Sequence, residues 1–128
     1  MTEAARMAAL EAEVQQLRRA MGFSMRAAEV AELQARHRLT LNMALVLLAM
    51  HQAYPRVLSA GHLLEVLEHH DHAQEHQVKN VAVYVHRIRA VLGAAGIRTV
   101  QRLGYRLSAE LHQLVERDLS CLPWRAAA

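Results

Sequence analysis

Residues 77–109 read QVKNVAVYVHRIRAVLGAAGIRTVQRLGYRLSA; they hold Lys79, Arg87, Arg89, Arg98, Arg102 and Arg106 and no acidic side chain. Within this stretch Val81, Val85, Ile88 and Leu92 follow one another at spacings of four, three and four. At about 100° per residue these four fall on one stripe of a helix, facing a core. The opposite face then carries Lys79, Val83, His86, Arg87 and Ala90, with Arg89 on its flank. Gly93 and Gly96 stop the helix. Beyond them Ile97-Arg98-Thr99-Val100 and Tyr105-Arg106-Leu107 are β-prone, and Gln101-Arg102-Leu103-Gly104 predicts the turn between them. A cationic helix followed by a cationic hairpin suits a polyanion; the simpler alternative is a basic surface that meets only water.

Downstream, Ser108 begins a helix that buries Leu111, Leu114, Val115 and Leu119 and ends before Pro123. Trp124 and the segment Leu119-Ser120-Cys121-Leu122 cover either a flank of the domain or a second subunit. Upstream, Thr40 caps a helix to Gln52 whose Ala44, Leu45, Leu47, Leu48 and Met50 form a wide apolar surface. Tyr54-Pro55 ends it, Arg56-Val57-Leu58 suits a short strand, and Ser59 caps a further helix bearing Leu63, Leu64, Val66 and Leu67. Glu68 to Gln77 reads as a helix end and a polar loop.

At the amino terminus Met7, Leu10, Val14, Leu17 and Met21 alternate spacings of three and four, with no Gly or Pro before Gly22. This is a coiled-coil seam of about two heptads, too short to stand alone in water, so it pairs with a second chain or packs on its own domain. Pairing is the preferred reading, and these five residues are the candidate dimerisation contacts. Gly22 is expected to interrupt the pattern. A second helix then runs from about Met25 to Arg36, with Ala27, Val30, Leu33 and His37 on its less polar side. The expected division is a helical arm over 1–38, a nucleic-acid-binding unit over 39–107, and a terminal helix and tail over 108–128.

The chain has 128 residues, 53% of them apolar, enough for one core and a helical appendage. Its 15 Lys and Arg against 12 Asp and Glu give a net charge of +3. The six cations of residues 77–109 exceed that total, so the remainder is net acidic and the molecule is polarised. The single Cys121 forms no intrachain disulfide, which fits a reducing compartment. The longest apolar run, Met43 to Met50, falls short of the roughly 20 residues a membrane helix needs, and the amino terminus lacks an export signal. A cytoplasmic, nucleoid-associated protein without membrane attachment is expected. No nucleophile elbow, phosphate loop or Cys pair occurs, so neither a catalytic site nor a cofactor is expected. His72, Glu75 and His76 match an H-x-x-E-H spacing, yet that motif requires a stable helix, a distant third ligand and a cleft. The cluster His69-His70-Asp71-His72-Ala73-Gln74-Glu75-His76 therefore reads as a solvated loop without a metal.

Several of these elements together resemble a known family. They are Leu39-Thr40 with the helix after it, Val57-Leu58-Ser59, Val83-Tyr84-Val85-His86-Arg87-Ile88-Arg89 with Leu92, Ile97-Arg98-Thr99-Val100, and Gly104-Tyr105-Arg106-Leu107. Over about 39–107 they resemble the winged-helix effector domain of OmpR/PhoB-type transcription regulators. The resemblance implies a mainly α fold with a small β-hairpin, a winged helix-turn-helix. It also implies that the helix from about Lys79 to Leu92 enters the major groove while the hairpin, residues 97–107, reaches the backbone or minor groove. Carried over by position, Arg87 and Arg89 match basic residues of the recognition helix, Arg98 and Thr99 the first wing strand, and Arg106 the second. Arg102 sits at the wing tip, where the family usually has Gly, and Ala90 and Val91 stand where it often has basic residues. No phosphoacceptor receiver domain accompanies the effector, so control by a sensor kinase is not implied.

The combined expectation is a homodimeric bacterial transcription regulator that binds double-stranded DNA. Lys79, Val83, His86, Arg87, Arg89, Ala90, Arg98, Thr99, Arg102 and Arg106 are the candidate contacts. Arg suits guanine edges and phosphates, His86 can donate to a base, and thymine methyls or sugar carbons would cover Val83 and Ala90. Two rivals are a protein-interaction module using Val83, Tyr84, Ala90 and the helical arms to hold another protein, such as an RNA polymerase subunit or a regulator, and a nonspecific nucleoid binder.

Overall fold

A computed structural model describes residues 2–70 and 78–123, with the backbone alone for 17–25, 70 and 78. Among the described residues, helices and one hairpin follow in the order α1 (Glu3–His37), α2 (Leu41–Ala53), α3 (Ala60–His70), α4 (Val78–Leu92), β1 (Ile97–Val100), β2 (Gly104–Leu107) and α5 (Ala109–Ser120). The hydroxyls of Thr40, Ser59 and Ser108 accept from the backbone N–H of Met43, His62 and Leu111 at 3.3, 3.0 and 3.1 Å. Each satisfies a donor that a helix start leaves orphaned, at the three positions expected from sequence.

α2 is apolar on every side and lies at the centre of the core, with Met43 to Leu48, Met50, His51 and Ala53 all buried. α1, α3, α4 and α5 all pack against it, and α3 also meets α4 as α1 meets α5. Val81, Val85 and Ile88 of α4 are buried as their spacing predicts, and Leu92 packs at the edge. The same core includes Val30 and Leu33 of α1, Ile97 and Leu107 of the hairpin, and Leu111, Val115 and Leu119 of α5. It thus draws on residues before 39 and after 107 as well as on those between.

The expectation that Gly22 divides the amino-terminal region into two helices is corrected. α1 is continuous for 35 residues. A lone Gly costs only about 1 kcal/mol relative to Ala inside a helix, and favourable helix formers on both sides outweigh it. α1 ends at Arg38, which adopts a left-handed conformation with φ 54°. Its last turn is fastened to α5: His37 Nε2 lies 2.6 Å from Asp118 Oδ2, and Arg36 Nη1 lies 3.6 Å from Asp118 Oδ1. Glu32 also accepts from Arg36 and raises the guanidinium's pKa above its ordinary value. Asp118 is buried, with the Arg36 guanidinium close enough to offset its charge and His37 within hydrogen-bond distance.

Met7, Leu10 and Val14 of the seam are 62%, 61% and 45% exposed. The side chains of Leu17 and Met21 lie outside the described residues, as do most of the His-rich stretch and Trp124. No helix among the described residues is long and apolar enough to cross a membrane.

Candidate nucleic-acid interface

The buried stripe of α4 fixes what its opposite face presents. Lys79, Val83, His86, Arg87 and Ala90 are all exposed, Val83 to 44%. They span an arc of about 100° around the helix, so one groove can meet them all. The helix is held in place from below by its apolar stripe and from the side by Asn42, whose Nδ2 donates to the Tyr84 hydroxyl at 3.0 Å. Gly93 follows the last residue with φ 106°, and its N–H donates to the Arg89 carbonyl at 2.9 Å. This is the left-handed exit that releases the chain into the hairpin.

β1 and β2 pair antiparallel with Ile97 opposite Leu107, Arg98 opposite Arg106, Thr99 opposite Tyr105 and Val100 opposite Gly104. Ile97 and Leu107 turn inward and are buried, so period-two alternation sends Arg98 and Arg106 to the other face as a cross-strand pair. Two like charges directly opposite are unfavourable by themselves, and an anion seated between them relieves the repulsion. The turn carries a third cation: Arg102 is exposed at its tip with φ 66°, a left-handed conformation that Gly takes without strain. Among the described residues none of Lys79, Arg87, Arg98, Arg102 and Arg106 has an ion-pair partner.

Arg89 makes contacts within the fold that its position in the sequence does not reveal. Its Nε and Nη2 donate to the Ile97 carbonyl at 3.1 and 2.8 Å, and Nη2 also donates to the Thr99 hydroxyl at 2.8 Å. A planar guanidinium thereby ties the last turn of α4 to β1, with neutral acceptors that leave its charge uncompensated. Arg89 and Thr99 thus hold each other as well as standing beside the cationic face.

The hairpin is also anchored to the segment after α2. Leu58 and Tyr105 exchange backbone hydrogen bonds at 2.9 and 2.8 Å, so the strand expected at 56–58 is realised as a single bridge. Sequence spacing did not single out this bridge, the Arg89 clamp or the Asn42–Tyr84 bond. The last two join residues of ordinary surface type, and only the fold brings them together.

Of the ten sequence-predicted contacts, α4 brings together Lys79, Val83, His86, Arg87 and Ala90, and the hairpin brings together Arg98, Arg102 and Arg106. The model for the transcriptional regulatory protein C-terminal family matches residues 34–107. Comparison with curated proteins and with solved structures returns no match. The family match covers more than half of the chain and spans the helix, the hairpin and the elements that hold them. The chain therefore belongs to the transcriptional regulatory protein C-terminal family, the DNA-binding effector domains of OmpR/PhoB-type transcription regulators.

Proposed function

We propose that the protein is a homodimeric, sequence-specific regulator in which the outer part of α1 pairs two subunits and each winged helix engages one half-site. α4 reads the major groove through Arg87, His86, Lys79, Val83 and Ala90. The hairpin places Arg98, Arg102 and Arg106 on phosphates or in the minor groove, and Arg89 with Thr99 holds the two parts in register. The observation that carries this reading is the set of cations on α4 and the hairpin that have no anionic partner among the described residues, above all Arg98 facing Arg106. The family is one of DNA-binding regulatory domains and not of enzymes.

Pairing through α1 is supported by Met7, Leu10 and Val14, an exposed apolar seam that a second copy would cover. A parallel two-fold pair presents its two reading heads symmetrically, which favours an operator with inverted symmetry. Selection of bound duplexes from a random pool, followed by titration of the winner and a scrambled control, tests the proposal. Enrichment of an inverted repeat supports it. Enrichment of direct repeats alone contradicts the parallel pairing, and equal retention of winner and control points to nonspecific binding. Salt-insensitive association with a protein in place of DNA favours the interaction module, for which exposed Val83 and Ala90 are the apolar contacts.

A further inference from the structure

α2 and α5 meet at a group of side chains that DNA binding does not use. His51, in the last turn of α2, is 6% exposed, and its Nε2 lies 2.6 Å from Glu116 Oε2. Glu116 and His112 are four residues apart on α5 and share one face of it. The rings of His51 and His112 stack with centroids 4.7 Å apart and planes 21° apart. Tyr54, just past the end of α2, stacks on His112 at 4.0 Å and 13°. One donor atom from each of His51, His112 and Glu116 lies within 4.8 Å of the other two. Nδ1 of His112 is buried without a hydrogen-bond partner, so the imidazole has unused bonding capacity.

We propose that His51, His112 and Glu116 form a binding site for a borderline first-row divalent cation, zinc foremost, that joins α2 to α5. Two imidazoles and one carboxylate are a donor set suited to zinc, whereas magnesium and calcium require oxygen ligands in larger number. Zinc–nitrogen bonds of about 2.0–2.1 Å place tetrahedral donors about 3.4 Å apart, so the widest pair closes by roughly 1.4 Å through side-chain rotation. Water completes the fourth position, on the side where Glu116 is half exposed. The single Cys121 is not part of the group. The consequence is mechanical: the metal fastens the same helix whose Asp118 holds the end of α1, and so stiffens the root of the arm. The site stands on its own geometry, independent of what α4 binds.

Titration of the metal-stripped full chain with zinc chloride, followed by calorimetry and thermal unfolding, tests this. A parallel variant replaces His69, His70, His72 and His76 together by Asn, removing the competing His-rich stretch. The expected result is one saturable zinc per chain and a raised Tm, both retained in that variant. Glu116→Gln is expected to weaken binding at least about 10-fold, His112→Gln by more, since even an outer partner of a ligand is worth 10–100-fold. Cobalt added in place of zinc should give the visible absorption of a tetrahedral site, altered by Glu116→Gln. Glu116 is half exposed, so this variant keeps the comparison decisive if His112→Gln lowers stability without metal. Absence of saturable binding overturns the proposal, as does binding that is lost in the Asn variant and unchanged by Glu116→Gln.

Discussion

Gly104 lacks a side chain for a reason that its neighbours make plain. A Cβ there would sit 2.0 Å from the Leu58 carbonyl oxygen and 2.7 Å from the Ser59 Cα, both backbone atoms that cannot step aside. Its φ of 143° is also one that L side chains rarely adopt. Gly104→Ala is therefore expected to lose the Leu58–Tyr105 bridge and about 3 kcal/mol of stability, read as a lowered denaturant midpoint. At Arg102 the opposite holds: a bulky residue occupies the left-handed conformation, and restoring Gly there should stabilise the turn slightly while removing one cation. The sequence marks both positions as turn residues. It does not say which of them is crowded, because the crowding comes from a strand segment more than forty residues earlier.

At the scale of elements, α4 and the hairpin are tied together because Arg89 of α4 bonds to β1, and its effect separates cleanly from that of Arg87. Arg87→Ala removes an exposed guanidinium with no structural partner among the described residues. It should leave thermal stability unchanged while lowering discrimination between the selected and scrambled duplex by about 1–3 kcal/mol for each base that is no longer read. Arg89→Ala should instead lower Tm and speed amide exchange in residues 97–100, with weaker affinity for both duplexes. Arg89→Lys should not rescue it, since a point ammonium cannot reproduce the forked donation to Ile97 and Thr99. Much of this element-level structure was legible in the sequence. The four-three-four spacing of Val81, Val85, Ile88 and Leu92 dictates which face is buried, and strand alternation then dictates where Arg98 and Arg106 point. The clamp was not legible, because an Arg near a helix end serves equally as a phosphate ligand and as a bracket until the strand is in place.

For the whole molecule, polarity and length matter most. The five cations without anionic partners among the described residues, Lys79, Arg87, Arg98, Arg102 and Arg106, give a salt slope for DNA binding of at most about −4 to −5 per half-site in a double-logarithmic plot. A slope near zero would remove the cationic face from the account. The arm is tested by Leu10→Asp, which places a charge in the exposed seam and away from the core. It should shift sedimentation from dimer to monomer and weaken operator binding steeply, while Tm of the winged helix changes little. The sequence revealed the seam through its repeat but misjudged Gly22, because a residue that breaks short helices is tolerated within a long one. Nor did it hint at how α5 is bonded to α1 and α2, since His37 with Asp118 and His51 with Glu116 are pairs that only tertiary folding brings together.

Because α1 is unbroken from Glu3 to His37, it behaves as a ruler and a protractor at once, advancing about 1.5 Å and 100° with each residue. If two copies pair through the seam as proposed, seven residues added between it and Val30 would displace each winged helix by about 10 Å with its phase almost restored, whereas two would swing it by about 200°. In the proposed dimer, the spacing and the helical phase of the two half-sites would thus be set by the same count of residues along one rod.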